Sequence, residues 1–247
     1  MISFNKTVAK YTIKLLDRGE VAEGTMQFTF EKPAGFEYKA GQYITLRLIN
    51  PPQTDEEGNN RIFSLTSAPF EDNLLIAARM RDTAFKNSLK AIPLRSKIDM
   101  DGPSGSMVLH KDSTKPAVFL AGGIGITPFV SMAKCASHDK LTHRIFLFYS
   151  NRRPEDAAFL SDLQSLEKEN LNFRLIATMT EMEKSSQKWD GETGYITKEM
   201  LAKYLKDLTL PIYYTAGPPQ MVEAMKKMLT ETSISDDNVK YENFTGY

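Results

Sequence analysis

The hydrophobic rhythm of this 247-residue chain changes once, at residues 110–116. Before that point, short runs rich in β-branched and aromatic residues, several of them alternating apolar and polar, are separated by turn residues such as Gly19, Gly35, Gly41 and Pro52. After it, continuous apolar runs alternate with stretches of helical spacing. Period-two runs suit antiparallel strands, whereas alternating buried strands and helices require a parallel sheet covered on both faces. The expectation is therefore two domains. Residues 1–111 read as an N-terminal antiparallel β-barrel, and residues 112–247 as a C-terminal α/β open parallel sheet. The polar stretch HKDSTKP, 110–116, is the boundary.

In the first half, strands are predicted at 8–16, 25–31, 42–49, 61–67 and 73–80, with a helix near 85–92. Two more strands are predicted within 97–109, around a Gly-Pro-Ser-Gly turn. Six or so strands at this spacing make a small barrel. Residues 51–60 are polar, acidic and turn-rich, and read as a loop. In the second half, strands at 117–123, 144–150, 173–180, 212–217 and 239–244 alternate with helices at 126–136, 154–170, 196–205 and 218–232.

Charge and cysteine usage exclude several classes. Lys plus Arg and Asp plus Glu are each 31, and neither half is polarised, which argues against nucleic acid as the main partner. The single cysteine, Cys135, excludes a disulfide framework, a Cys-ligated iron–sulfur cluster and a zinc ribbon within this chain. The three histidines, His110, His138 and His143, form no ligand pattern, so no metal site is expected. No apolar run approaches ~18–20 residues, so no membrane span is expected. The first residues lack the apolar stretch of a signal peptide, and a cytoplasmic protein is the expectation.

Four strings carry chemistry. The first is AGGIGITP, 121–128, between a strand and a helix. Gly122, Gly123 and Gly125 remove side chains where a backbone approaches a phosphate, Ile124 lies between them, Thr127 can cap the helix, and Pro128 suits its first turn. A tight turn with no ligand would use the same residues. The second is Gly217-Pro218-Pro219-Gln220-Met221, again strand, turn, helix. If strand order sets it beside the first, the two flank one cleft. The third is Arg61-Ile62-Phe63-Ser64 on a strand. Alternation puts Arg61 and Phe63 on one face and Ile62 and Ser64 on the other. A guanidinium beside an aromatic ring suits a ligand with a phosphate and a flat ring system. The fourth is Lys86-Asn87-Ser88, flanked by Arg79 and Arg81, which can open a short helix and offer N–H groups to a phosphate. A surface Arg beside a core Phe, and a solvated basic edge, are the plainer readings of these last two.

Together, in this order, the strings resemble the ferredoxin–NADP reductase superfamily. R-x-[FY]-S, a basic-flanked x-x-S-x-x-L, G-P-x-G, G-G-x-G-[IV]-T-P and G-P-P-x-M occur in register. The ending Glu242-Asn243-Phe244-Thr245-Gly246-Tyr247 looks like the family's E-x-F-x-G-Y. The resemblance spans essentially the whole chain. It implies a flavin-binding barrel and a pyridine-nucleotide-binding sheet, with hydride passing from NADH or NADPH to bound FAD. Electrons then go to a separate acceptor such as ferredoxin, flavodoxin or a haem protein. Under that resemblance Arg61 pairs with a flavin phosphate, Phe63 stacks near the ring where the family more often has Tyr, and Ser64 touches the nitrogen that accepts hydride. Ala78, Arg79 and Met80 run along the flavin, and Lys86, Asn87 and Ser88 hold its pyrophosphate or ribityl chain. Residues 122–128 and 217–221 hold the dinucleotide. Glu242 and Tyr247 join Ser64 in the catalytic group, with Tyr247 lying over the flavin and moving for nicotinamide to enter.

Two departures are visible. Ala216 stands where many members have Cys before the G-P-P turn, and the chain has no Cys set for an iron–sulfur domain. Arg152 and Arg153 are candidates for a 2′-phosphate, while Glu181 and Glu183 oppose them, and the balance leans to NADH. Trp189, in a W-x-G-E-x-G-[YF] segment, reads as structural. Met221, Met225 and Met228 read as core packing. Three other readings stay open. One is an FMN-containing reductase component of an oxygenase. Another is an electron-transfer subunit of a larger complex, against which the missing C-terminal Cys cluster counts. The last is a non-redox nucleotide-binding module.

Overall fold

The computed structural model describes residues 9–244. Its first half is a six-stranded antiparallel sheet. The elements are β1 (Lys10–Ala22), β2 (Thr25–Glu31), β3 (Tyr43–Leu48), β4 (Asn60–Ser64), β5 (Asn73–Arg79), helix α1 (Ala84–Ala91) and β6 (Lys97–Ser104), and the strand order is β4-β3-β6-β1-β2-β5. β1 serves both sides of the sheet. Residues 10–14 pair with β6, and residues from Leu15 onward pair with β2 through two register breaks that let the strand bend. The sheet edges meet where Thr66, just past β4, donates its N–H to Leu75 O of β5 at 2.8 Å. This closes the expected barrel. Inward-facing residues follow the period of two: Phe28 and Phe30, Ile44 and Leu46, and Leu74 and Ile76 are fully buried. Phe85 and Leu89 of α1 pack into the same core.

The second half is a six-stranded parallel sheet. After β7 (Ala117–Gly122) a 3-10 turn (Gly123–Ile126) leads into α2 (Thr127–His138). There follow β8 (Ile145–Asn151), α3 (Leu160–Glu169), β9 (Phe173–Met179), β10 (Glu192–Thr193), α4 (Lys198–Tyr204), β11 (Ile212–Gly217), α5 (Pro219–Glu231) and β12 (Val239–Asn243), in the order β10-β9-β8-β7-β11-β12. The continuous apolar strands are two-faced. Ala117, Phe119 and Ala121 of β7 pack with Phe129 of α2 and Leu163 of α3, whereas Val118 and Leu120 pack with Leu201 of α4 and Leu229 of α5. Met225 is buried in this second cluster with Met221 and Met228 against it, as core packing required.

Several local expectations need correction. The segment 97–109 forms one strand, β6, not two, because β6 pairs with β1 as far as Asp101 and with β3 as far as Ser104. The helix expected over 154–170 is divided into a 3-10 turn (Pro154–Asp156) and α3, with Phe159 between them at φ 60°. β1 runs to Ala22, well beyond residue 16, since it changes partner midway. β4 ends at Ser64, short of residue 67, and β10 was not foreseen.

The two halves are joined by buried, specific contacts. Asp156, with 2% of its side chain exposed, accepts from Arg153 Nε at 2.9 Å and Arg79 Nη2 at 3.2 Å, and lies 3.3 Å from Arg152 Nη2. Burial pushes its carboxyl up, but the Arg153 and Arg79 hydrogen bonds and the Arg152 charge hold it below the usual carboxylate range. Ser131 of α2 donates to Ser67 O at 2.6 Å, and Glu23 N–H reaches Glu155 O at 2.9 Å. The connecting residues are pinned too. Tyr214 Oη accepts the His110 N–H at 2.8 Å, and His143 Nε2 lies 2.9 Å from His110 O.

Candidate active site

β7 and β11 are neighbours, with Ala121 opposite Ala216, so the two glycine corners stand side by side. They interlock. A Cβ on Gly125 would sit 2.2 Å from Ala216 O, and one on Gly122 would sit 2.2 Å from Met221 Sδ and 3.2 Å from Pro218 Cδ. Gly125 is therefore required by the packing of one corner on the other, whatever else lies above it, whereas a side chain at Gly122 would have to push aside the end of Met221. Gly123 takes a left-handed φ of 50°, which turns the chain from β7 into the 3-10 turn. Thr127 does not cap α2, contrary to expectation. The 3-10 turn carries the chain straight into α2, so Thr127 is the first helical residue and its hydroxyl donates to Ile124 O at 3.1 Å. Pro128 lies in the first turn as expected, and Pro219 opens α5.

On the barrel side, Arg61 lies over the Phe85 ring at 5.3 Å, and Phe63 packs on Phe85 with centroids 5.9 Å apart. Ser64 is buried, while Ile62 is 62% exposed. Around Lys86, burial and the charges of Arg81 and Arg61 hold its amine below the usual value. Cations are thus gathered close enough to oppose one another, a condition an anion relieves. The N–H groups of Lys86 and Asn87 are not offered to a ligand. Thr83 is the N-cap of α1, and its Oγ1 and O accept them at 3.4 and 2.9 Å. Ser88 Oγ bonds the Gln53 N–H and O, and Asn87 Nδ2 bonds Asp82. Of the trio 78–80, Ala78 is buried in the barrel core, Met80 packs against that core, and the Arg79 side chain turns to Asp156.

The expected catalytic residues Ser64 and Glu242 come from opposite halves and converge on Tyr43. Ser64 is the ladder partner of Tyr43 across β3 and β4. A Cβ on Gly105 would lie 2.8 Å from the Tyr43 ring and 3.7 Å from Glu242 Oε1, so ring and carboxyl flank the same backbone. Glu242 is half-buried on β12, opposite Ala216, and burial pushes its carboxyl up to about 7. Tyr43 was missed in the sequence. Its signal was the Gly41-Gln42-Tyr43 start of β3, where a Cβ on Gly41 would meet Met107 O at 1.9 Å. Tyr247 lies outside the described residues.

The remaining candidates sit apart from this point. Arg152 and Arg153, at the end of β8, are engaged by Asp156, and Arg153 also by Glu23 at 3.0 Å. Glu181 is paired with Lys184 at 2.9 Å. Trp189 Nε1 donates to Glu192 O at 2.8 Å and its ring packs against Gly191, a structural role as expected. A cavity of about 440 Å³ between α3, β9 and residues 187–191 is lined by Trp189 but by none of the expected catalytic or cofactor-binding residues. Among the described residues no group of His, Cys, Asp or Glu could hold a metal ion, and no helix is long and apolar enough to cross a membrane.

Residues 119–227 match the oxidoreductase NAD-binding domain. The structure superposes on a ferredoxin–NADP+ reductase from Neisseria gonorrhoeae, solved with bound FAD and NADP, at a TM-score of 0.79 and 20% identity, covering 95% of this chain and 98% of that one. The chain has the ferredoxin–NADP reductase fold. An Amycolatopsis cytochrome P450 reductase shares this fold at a TM-score of 0.82 and 21% identity, over 97% of this chain and 72% of that one. In sequence, the reductase component of a Rhodococcus jostii propane 2-monooxygenase is 27% identical over 87% of this chain and 57% of its own length. The chain spans between 37% and 61% of the length of the curated relatives it matches. The likeness runs through the barrel and the sheet together, so it covers both sides of the Tyr43 junction.

Proposed function

We propose that this chain is an FAD-dependent NAD(P)H oxidoreductase that delivers electrons to a separate acceptor protein. The observation that carries the reading is the junction at Tyr43. There the barrel residue Tyr43, ladder partner of Ser64, has its ring beside the same Gly105 that the sheet carboxyl Glu242 flanks, and Glu242 is itself the ladder partner of Ala216 at the second glycine corner. A flavin bound at this seam supplies the two-electron chemistry, accepting hydride from a nicotinamide.

The residues present fit such a cofactor. The cations Arg61, Arg81 and Lys86 lie within electrostatic reach of one another, which suits a phosphate or pyrophosphate. Phe63 and Phe85 give an apolar wall beside them. Ser64 can both donate and accept a hydrogen bond at the edge of a ring system. Glu242 holds a proton at Oε1 or Oε2 up to about neutral pH, because burial disfavours its charge. It can therefore give up or take a proton near pH 7. The corners at 122–128 and 217–221 present backbone to a dinucleotide, and Ala216 leaves no thiol at that point. Hydride transfer needs no nucleophile there. The domain division at residues 111 and 112, and a cytoplasmic setting suited to the free thiol of Cys135, belong to the same reading.

The acceptor is a ferredoxin, flavodoxin or haem protein. A second reading, reductase component of an oxygenase, is favoured by the likeness to the propane 2-monooxygenase reductase component. The test is the absorbance spectrum of the purified protein, before and after anaerobic addition of NADH or NADPH. Flavin bands that bleach with one of the two are expected. A colourless protein that takes up no added flavin, or bands that neither nucleotide bleaches, would overturn the reading.

A further inference from the structure

The acidic loop between β3 and β4 is wired into the groups that the cofactor reading assigns to a phosphate. Arg61 Nη2 lies 2.7 Å from Glu57 Oε2 and 3.4 Å from Asp55 Oδ1. Arg61 Nη1 donates to the carbonyls of Glu57, Gly58 and Asn60 at 3.0, 3.2 and 2.6 Å. Farther along the same loop, the backbone of Gln53 grips Ser88 Oγ through both its N–H and its O, each at 3.1 Å. One segment thus engages both elements of the cradle, β4 through Arg61 and α1 through Ser88. At its base it is tied to β3, where Asn59 Nδ2 donates to Leu48 O at 2.8 Å.

We propose that residues 53–57 are an acidic strap over the phosphate cradle, and that Asp55 and Glu57 compete with the flavin phosphate for Arg61. The proposal rests on the flavin reading above. A phosphate binds a guanidinium through paired N–H donors. Here both terminal nitrogens of Arg61 already serve the strap, with the two carboxylates on Nη2. Nη2 carries two N–H bonds and the two carboxylates take both, so a phosphate oxygen reaches Nη2 only by displacing one of them. The Glu57 side chain is 76% exposed, whereas that of Arg61 is 22% exposed. The acid is therefore the partner that water can take over, and the strap is the part that yields. Bonds from Arg61 to the carbonyls of Gly58 and Asn60, which lie outside the strap, keep the guanidinium in place during the exchange.

The test is titration of the flavin-stripped protein with FAD, and with riboflavin, which has no phosphate, followed by quenching of flavin fluorescence. The Asp55→Asn/Glu57→Gln double variant is expected to bind FAD about threefold to tenfold more tightly, the range two partly exposed ion pairs allow. Riboflavin affinity is expected to stay unchanged. Glu57→Gln alone, at the more exposed position, is expected to move FAD affinity in the same direction by about twofold. FAD affinity that is unchanged or weaker in the double variant would overturn the strap and make the loop a support for Arg61. Equal gains for FAD and riboflavin would overturn it as well, because the phosphate would then play no part. If neither wild type nor variant binds any flavin, the cofactor reading falls with it, an outcome distinct from wild type binding and the variant merely failing to improve.

Discussion

Around Arg61 the barrel offers side chains to a ligand: a guanidinium and a buried hydroxyl, Ser88, both reached by a polar loop, and the partly buried amine of Lys86. At Gly122 and Gly217 the sheet offers backbone, packed so closely that Gly125 has no room for one carbon atom beside Ala216 O. The first region is held by contacts that can be exchanged. The second is held by shape. Polar side chains at a rim trade partners at a cost of about 1 kcal/mol each, whereas close packing of backbone on backbone has no alternative arrangement nearby. Substitution should therefore separate ligand affinity from stability in the barrel and merge them in the sheet.

The largest effect is expected at the glycine corner. Gly125→Ala should lower stability by about 3 kcal/mol or more, as severe overpacking does, measured by denaturant unfolding. Gly19→Ala, where a Cβ meets nothing within 4 Å, should stay within about 0.5 kcal/mol. Similar losses at the two positions would break the comparison. Next in size is Arg61→Ala. It should weaken FAD binding by about tenfold to a hundredfold, the worth of charged hydrogen bonds, with a much smaller change in the unfolding midpoint. A variant that binds FAD normally would remove Arg61 from the cradle.

The smallest expected effect belongs to Glu242 and is read through pH. Its carboxyl stays protonated in the folded protein up to about 7, against 4.5 as its ordinary value. Between those values the folded chain binds more protons than the unfolded one, so stability falls as pH rises from about 4.5 to about 7. Glu242→Gln should flatten that slope, by on the order of 1–2 kcal/mol once partial exposure is discounted. Unfolding curves at several pH values check it. A wild-type stability that is flat over this window would contradict the raised carboxyl.

Much of the fold was legible because its elements have clean periods. β2 and β11 fall on the expected residues, since each is bounded by a turn and needs no unusual partner. The segment 154–170 misled because its helical spacing is real only from Leu160. The preceding turn is bent to deliver Asp156 to Arg152, Arg153 and, from the other half of the molecule, Arg79. The fate of Arg79 was invisible for the same reason. On β5 it reads as part of a basic edge, yet its partner is 77 residues away. Tyr43 was passed over because one ring at a strand start says little until Gly105 and Glu242 are brought beside it.

The sequence by itself determined the two periods, the glycine corners and the cationic strings, because hydrophobic alternation and backbone freedom are local properties. Only the tertiary structure decided that Gly125 answers to the neighbouring corner, that Arg61 is shared with an acidic loop, and that Tyr43 pairs with Ser64 while its ring and Glu242 flank Gly105. Those facts depend on which strands are neighbours, and strand order is set by the burial of the whole sheet, which no short stretch of chain encodes.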